Sequence, residues 1–173
     1  MPMIAVILGT FALWTVYWFV RMGGINHIQA RRRAREEAER AAAARTAARN
    51  APLRAVDDPR DAAIVLMLLM ARENGDPTRE HIAEIERIAR AAFGFDRDLT
   101  EHMTQASFIA SRAESFAQAA AVLADLFNKH LTREEKRELV DMLGQAADFE
   151  GEGDAHGSMI DALARRVGLL PAS

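Results

Sequence analysis

The sequence predicts an all-α protein: an N-terminal transmembrane helix followed by a compact bundle of about six helices with weak internal duplication. Three observations predict it. Apolar residues after Pro52 recur at helical spacing, and no stretch shows the sustained apolar/polar alternation of a strand. Residues 28–49 are almost entirely Arg, Glu and Ala, which favour helix but offer little bulk for a core. Met3–Val20 is an uncharged run that stops at Arg21. The expected organisation is therefore an anchor over 1–22, a helical stalk over 23–54 and a domain over 55–173.

At the helical rise, the run Met3–Val20 spans roughly 27 Å, close to the hydrocarbon thickness of a bilayer. A cleaved signal peptide fits it poorly. No Lys or Arg precedes the run, Trp14, Tyr17, Trp18 and Phe19 keep it bulky to its end, and no small-x-small cleavage site precedes the charges. Tyr17 and Trp18, just before Arg21, stand where amphipathic rings favour the headgroup region. Residues 21–54 hold nine Arg against Glu36, Glu37 and Glu39. The positive-inside rule then leaves the N-terminus outside and the remainder in the cytoplasm, as a single-pass protein of a bacterial-type inner membrane.

Gly23-Gly24 forms a hinge between anchor and stalk, because paired glycines weaken a helix on entropic grounds. In the stalk, Arg31, Arg32, Arg33 and Arg35 are expected to meet anionic lipid headgroups, each worth about 1 kcal/mol near the surface. The segment otherwise reads as a solvated spacer. Ala30, Ala34, Ala38 and Ala42 make only an Ala seam, which packs weakly beside Leu or Ile.

Asp58-Pro59 opens the first bundle helix in a cap-then-Pro arrangement, and Ile64 to Met70 makes it apolar nearly all round, hence central and buried. Asp76-Pro77 is expected to start the next helix, with Ile82, Ile85, Ile88, Ala89 and Ala92 inward and Gly94 ending it. Helices follow at about 98–111 and 114–129. Thr132-x-x-Glu135 is a capping box that opens a fifth, and the last, near 156–167, carries Met159, Ile160, Leu163 and Val167. Short loops between them make a bundle the expected architecture.

The whole chain carries −3, so residues 55–173 carry −9 and the basic stalk precedes an acidic domain. That balance argues against nucleic acid as the main partner, since phosphate binding is driven by Lys and Arg. The chain has no cysteine, which agrees with a cytosolic domain without proving one.

The densest group of potential ligands is Asp148, Glu150, Glu152, Asp154 and His156, at every second position between two helices. Hard cations such as calcium take several oxygens from a flexible turn, so a divalent site is one expectation here. Against the EF-hand pattern, Asp148, Glu150, Glu152, Gly153 and Asp154 take positions 1, 3, 5, 6 and 7, but Met159 stands where the bidentate Glu belongs. A standard EF-hand is excluded, and a solvated acidic turn favouring the last helix through its dipole is the simpler reading. Glu73, Asp76, Glu80 and His81 form a thinner group that reaches this turn only if the two halves pack pseudo-symmetrically. His27, His102 and His130 read as polar surface or helix-end residues.

Catalysis finds little support. There is no Gly-rich phosphate loop, cysteine nucleophile or H-E-x-x-H motif, and Ser107, Ser111, Ser115 and Ser158 lack the glycines of a nucleophile elbow.

Residues 64–95 read apolar helix, acidic glycine-containing turn (Glu73-Asn74-Gly75-Asp76), helix and Phe93-Gly94-Phe95. Residues 139–169 repeat that order, from Asp148 to Asp154 through the turn to Val167-Gly168-Leu169, with Ile85, Ile88 and Ala89 matched by Ile160, Leu163 and Ala164. Over about residues 58–170 the pattern resembles the tellurite-resistance TerB-like domain, an all-helical family in which each half carries an acidic turn followed by a Glu. With the N-terminal span it is also similar to the front half of the membrane-anchored DnaJ-like co-chaperone. The chain departs from both: it has no His-Pro-Asp tripeptide or J-domain, and Asn74, Glu80-His81, Glu150-Gly151 and His156 stand at the family's acidic positions.

The resemblance implies a membrane-anchored, non-catalytic binding or adaptor module, related to stress, whose partners are membrane lipids and another protein. The alternatives are an accessory subunit of a membrane protein complex, with Gly9, Thr10 and Ala12 as a small-residue packing patch, and a metal-dependent enzyme.

Overall fold

The computed structural model describes residues 24–73, 75–95, 97–150 and 154–171. Seven helices and no strand occur among the described residues: α1 (Gly24–Arg54), α2 (Pro59–Arg72), α3 (Arg79–Phe93), α4 (Leu99–Arg112), α5 (Phe116–His130), α6 (Arg133–Glu150) and α7 (Asp154–Arg166). The all-α expectation is met. The expected transmembrane run, with Tyr17, Trp18 and Arg21, lies outside the described residues. None of the described helices is long and apolar enough to cross a membrane.

The chain divides into two units, 1–47 and 48–173. In the first, the described side chains of α1 are exposed, Arg35 among them, as Arg/Ala composition dictates. The side chains of Arg31, Arg32 and Arg33 lie outside the described residues. The second unit begins at Ala48. Leu53 is buried, and buried Asn50 accepts a hydrogen bond from Gln118 Nε2 at 2.5 Å. Helix α1 therefore continues through Pro52 to Arg54. An interior proline loses one helical hydrogen bond and costs about 3 kcal/mol, which full burial of Leu53, worth about 2–3 kcal/mol, largely offsets.

Helix α2 is the centre of the bundle, with every residue from Asp61 to Ala71 buried, and it packs against α3, α4, α5 and α6. Asp58 caps it, accepting from Arg60 N at 2.8 Å, and Pro59 supplies the first helical residue. Helix α3 starts at Arg79 rather than at Pro77. Thr78 and His81 form a reciprocal capping box there, with His81 N donating to Thr78 Oγ1 and Thr78 N donating to His81 Nδ1.

Helices α6 and α7 pack on each other, and α7 also packs on α5. Gly94 and Gly168, each just past a helix end, both take left-handed φ, 66° and 80°. After Gly168, Leu169 N reaches back to Ala164 O at 2.8 Å, the six-to-one bond of a Schellman turn.

Candidate functional site

Helix α6 opens with the expected capping box: Thr132 N donates to Glu135 Oε2 at 2.7 Å and Glu135 N to Thr132 Oγ1 at 3.3 Å. The Thr132 N–H, and the Thr132 hydroxyl donating to the same Oε2 at 2.8 Å, favour the ionised form and hold the Glu135 carboxyl below its ordinary 4.5. From this anchored start, α6 turns Leu139, Met142, Leu143 and Ala146 into the core. Glu135, Glu138, Asp141 and Gln145 remain exposed beside them.

Along this edge, α6 packs on α2 and α3 without filling the surface between them. An open groove of about 570 Å³ remains, floored by Ala63, Phe93, Leu131, Leu139 and Met142. Pro59, Arg60 and Ala92 form one bank, and Glu135, Glu138, Asp141 and Gln145 the other. The volume lies in the range of ordinary ligand pockets.

The two banks differ electrically. Arg60 is occupied by Asp58, its Nε lying 3.1 Å from both carboxylate oxygens and its Nη2 2.6 Å from Oδ2. The guanidinium pulls the Asp58 carboxyl below its ordinary 3.8 and is itself raised by it. Opposite, Glu138 and Asp141 make no ion pair among the described residues. The groove is thus apolar at its floor and negative along α6.

Behind the Arg60 bank, Asp61 is buried and its Oδ1 lies 2.5 Å from His102 Nδ1. The His102 ring stacks on Phe95 at 4.2 Å and 29°, Arg60 lies 5.1 Å above the Phe95 centroid, and Phe95 meets Phe93 edge-on at 5.6 Å. A polar latch between α2 and α4 is thereby linked by ring contacts to Phe93 in the groove floor. His102 is not the surface residue that Glu101 beside it suggests; its side chain is 20% exposed. A shallower depression of about 780 Å³ lies between the end of α1 and α5, where Arg54 and Lys129 alternate with Asp57 and Asp125 around Val122 and Leu126.

The expected metal ligands do not share one environment. Asp148 is exposed at the end of α6, whereas His156 is buried in α7, contrary to its expected place in a solvated turn. Helical phase explains the difference, since His156, Leu163 and Val167 recur on the inward face. Glu152 lies outside the described residues, as do the side chains of Glu150 and Asp154. In the first group, Glu73, Asp76 and Glu80 are exposed, and His81 is half-buried with its Nδ1 used in the α3 cap. The His81 ring meets Phe149 edge-on at 5.6 Å, so the start of α3 does approach the end of α6. Among the described residues, no group of three or more His, Asp or Glu side chains is placed to hold a metal.

Sequence reasoning missed the groove and the Asp61–His102 latch. A signal for the latch existed: Asp61 is a carboxylate heading an otherwise apolar, wholly buried run, and such a group requires a partner. What fold and site define is a small all-α bundle with an open, acid-banked apolar groove. Comparison with known proteins returns no matching family model, no matching curated protein and no matching solved structure.

Proposed function

We propose that the chain is a membrane-anchored, non-catalytic adaptor in which the run Met3–Val20 holds a TerB-like bundle on the cytoplasmic side of an inner membrane, where it docks a protein partner in a stress-related role. The observation that carries this reading is the groove between α2, α3 and α6. Above its buried floor residues it leaves Ala92 exposed and Pro59, Phe93 and Leu131 partly exposed, and a protein surface supplies cover for them.

The test is purification of the full chain from native membranes in mild detergent, comparing the natural sequence with Ala92→Trp and Asp161→Lys. Ala92 is exposed and lines the groove, so the indole fills it without entering the core; Asp161 is exposed on α7, away from it. A stoichiometric partner lost with Ala92→Trp and kept with Asp161→Lys is expected. A partner indifferent to Ala92→Trp overturns the groove as its docking site, and a partner retained by residues 1–22 alone makes the chain an accessory subunit held by its span. A C-terminal reporter is expected to be active in the cytoplasm, and periplasmic activity overturns the orientation.

A further inference from the structure

We infer that the occupant of the groove is a basic amphipathic helix of a partner protein, its apolar stripe on Ala92, Phe93 and Leu131 and its Lys or Arg side chains against Glu138 and Asp141. The inference rests on the docking reading above and specifies what docks.

Charge is the first argument. Residues 55–173 carry −9. Within the groove, the cation on the opposite bank is already matched, since Arg60 is bound side-on by Asp58. Glu135 is kept ionised by its capping bonds, and Glu138 and Asp141 are exposed without an ion pair among the described residues. A cation arriving there meets carboxylates with only water to displace. Docking also excludes water from the apolar floor beside them, which strengthens each new pair relative to the open surface. An acidic segment would be repelled by the same groups.

Shape is the second. Glu135, Glu138, Asp141 and Gln145 follow each other at intervals of three and four, so they form one stripe along α6 about 15 Å long, nearly three helical turns. Across from it, exposed Ala92 has a small side chain and lets another backbone approach closely. The partly exposed Phe93 and Leu131 supply a flat and a branched apolar contact. No strand edge is present among the described residues to accept an extended peptide, whereas a trough between helices receives a helix by its i, i+3/i+4, i+7 anchors.

The experiment places the full chain in phosphatidylcholine nanodiscs and titrates two labelled helical peptides of about 18 residues, long enough to exceed the stripe. They share one Leu stripe and differ only in Lys or Glu flanks. Anisotropy is corrected with empty nanodiscs. The Lys peptide is expected to bind at least about tenfold more tightly than the Glu peptide. Glu138→Lys/Asp141→Lys is expected to remove that advantage. Glu101→Lys/Asp161→Lys, which changes net charge equally at exposed sites on α4 and α7, should alter it less than about twofold. Equal losses in the two double variants overturn the inference by showing attraction to net charge alone. Equal binding of both peptides, abolished by Ala92→Trp, overturns the basic occupant and leaves the groove as a docking surface. Binding of the Lys peptide unaffected by Ala92→Trp removes the groove and the docking reading together.

Discussion

Replacing His102 with Ala tests whether the Asp61–His102 latch holds α4 on α2. The Asp61 side chain is 7% exposed and its Oδ1 lies 2.5 Å from His102 Nδ1. Removing the imidazole leaves a buried carboxyl without its hydrogen-bond partner, a loss of about 3 kcal/mol, the upper end for a buried polar group left unsatisfied. It also removes the stack on Phe95, worth about 0.5–1 kcal/mol beyond area. With a urea m value of about 2 kcal/mol/M, a loss of about 3–4 kcal/mol lowers the unfolding midpoint of the 48–173 unit by about 1.5–2 M. Asp61→Leu/His102→Leu should recover most of that loss, because replacing both partners by apolar groups leaves nothing polar to desolvate. Circular dichroism during urea titration measures both. A His102→Ala cost below about 0.5 kcal/mol, or a double variant no better than the single one, refutes the argument that the buried carboxylate depends on this imidazole.

Two further predictions concern the bundle ends. Arg72 donates from Nη1 to Ala110 O and from Nη2 to Ala113 O, both at 2.8 Å, and so closes the last turn of α4; Arg72→Met should cost about 2 kcal/mol in urea titration, and Arg72→Lys should restore less than half because a point charge does not span two carbonyls. The Asp58 and Glu135 carboxyls are held below their ordinary 3.8 and 4.5 by Arg60 and Thr132, so their contribution is present above those values and is lost as pH falls through the lower folded-state values. Asp58→Asn/Glu135→Gln should flatten the acid limb of a stability-against-pH series below about pH 4.5, and an unchanged acid limb would count against the assignment.

Local signals located the helices well because they act within one turn of chain. Asp58-Pro59 and Thr132-x-x-Glu135 cap α2 and α6 as their residue types require, and Gly94 ends α3 in the left-handed conformation. Where two local signals competed, reading one alone misplaced the boundary. Asp76-Pro77 suggested a start, but Thr78 with His81 satisfies two backbone groups reciprocally and α3 begins there. Helix α1 ends at Arg54, the expected end of the stalk, and it runs through Pro52 because burial of Leu53 is a tertiary gain of which periodicity carries no information.

The site was less legible because it belongs to no single segment. Its banks come from Pro59–Ala63, Ala92–Phe93 and Leu131–Gln145, and each piece alone has an ordinary explanation: a capped helix start, a helix end, a solvated acidic face. Glu138 and Asp141 become distinctive only when the bundle sets them beside a groove lined by Ala92, Phe93 and Leu131 and commits the nearby arginine to Asp58. Charge density pointed instead to Asp148–His156, where buried His156 is separated in environment from exposed Asp148. A crowded acidic turn repels itself and is relieved by water, whereas two carboxylates at the lip of an apolar trough gain more from a cation as water leaves. Burial next to charge, rather than the number of charges in a window, is therefore what selects the groove.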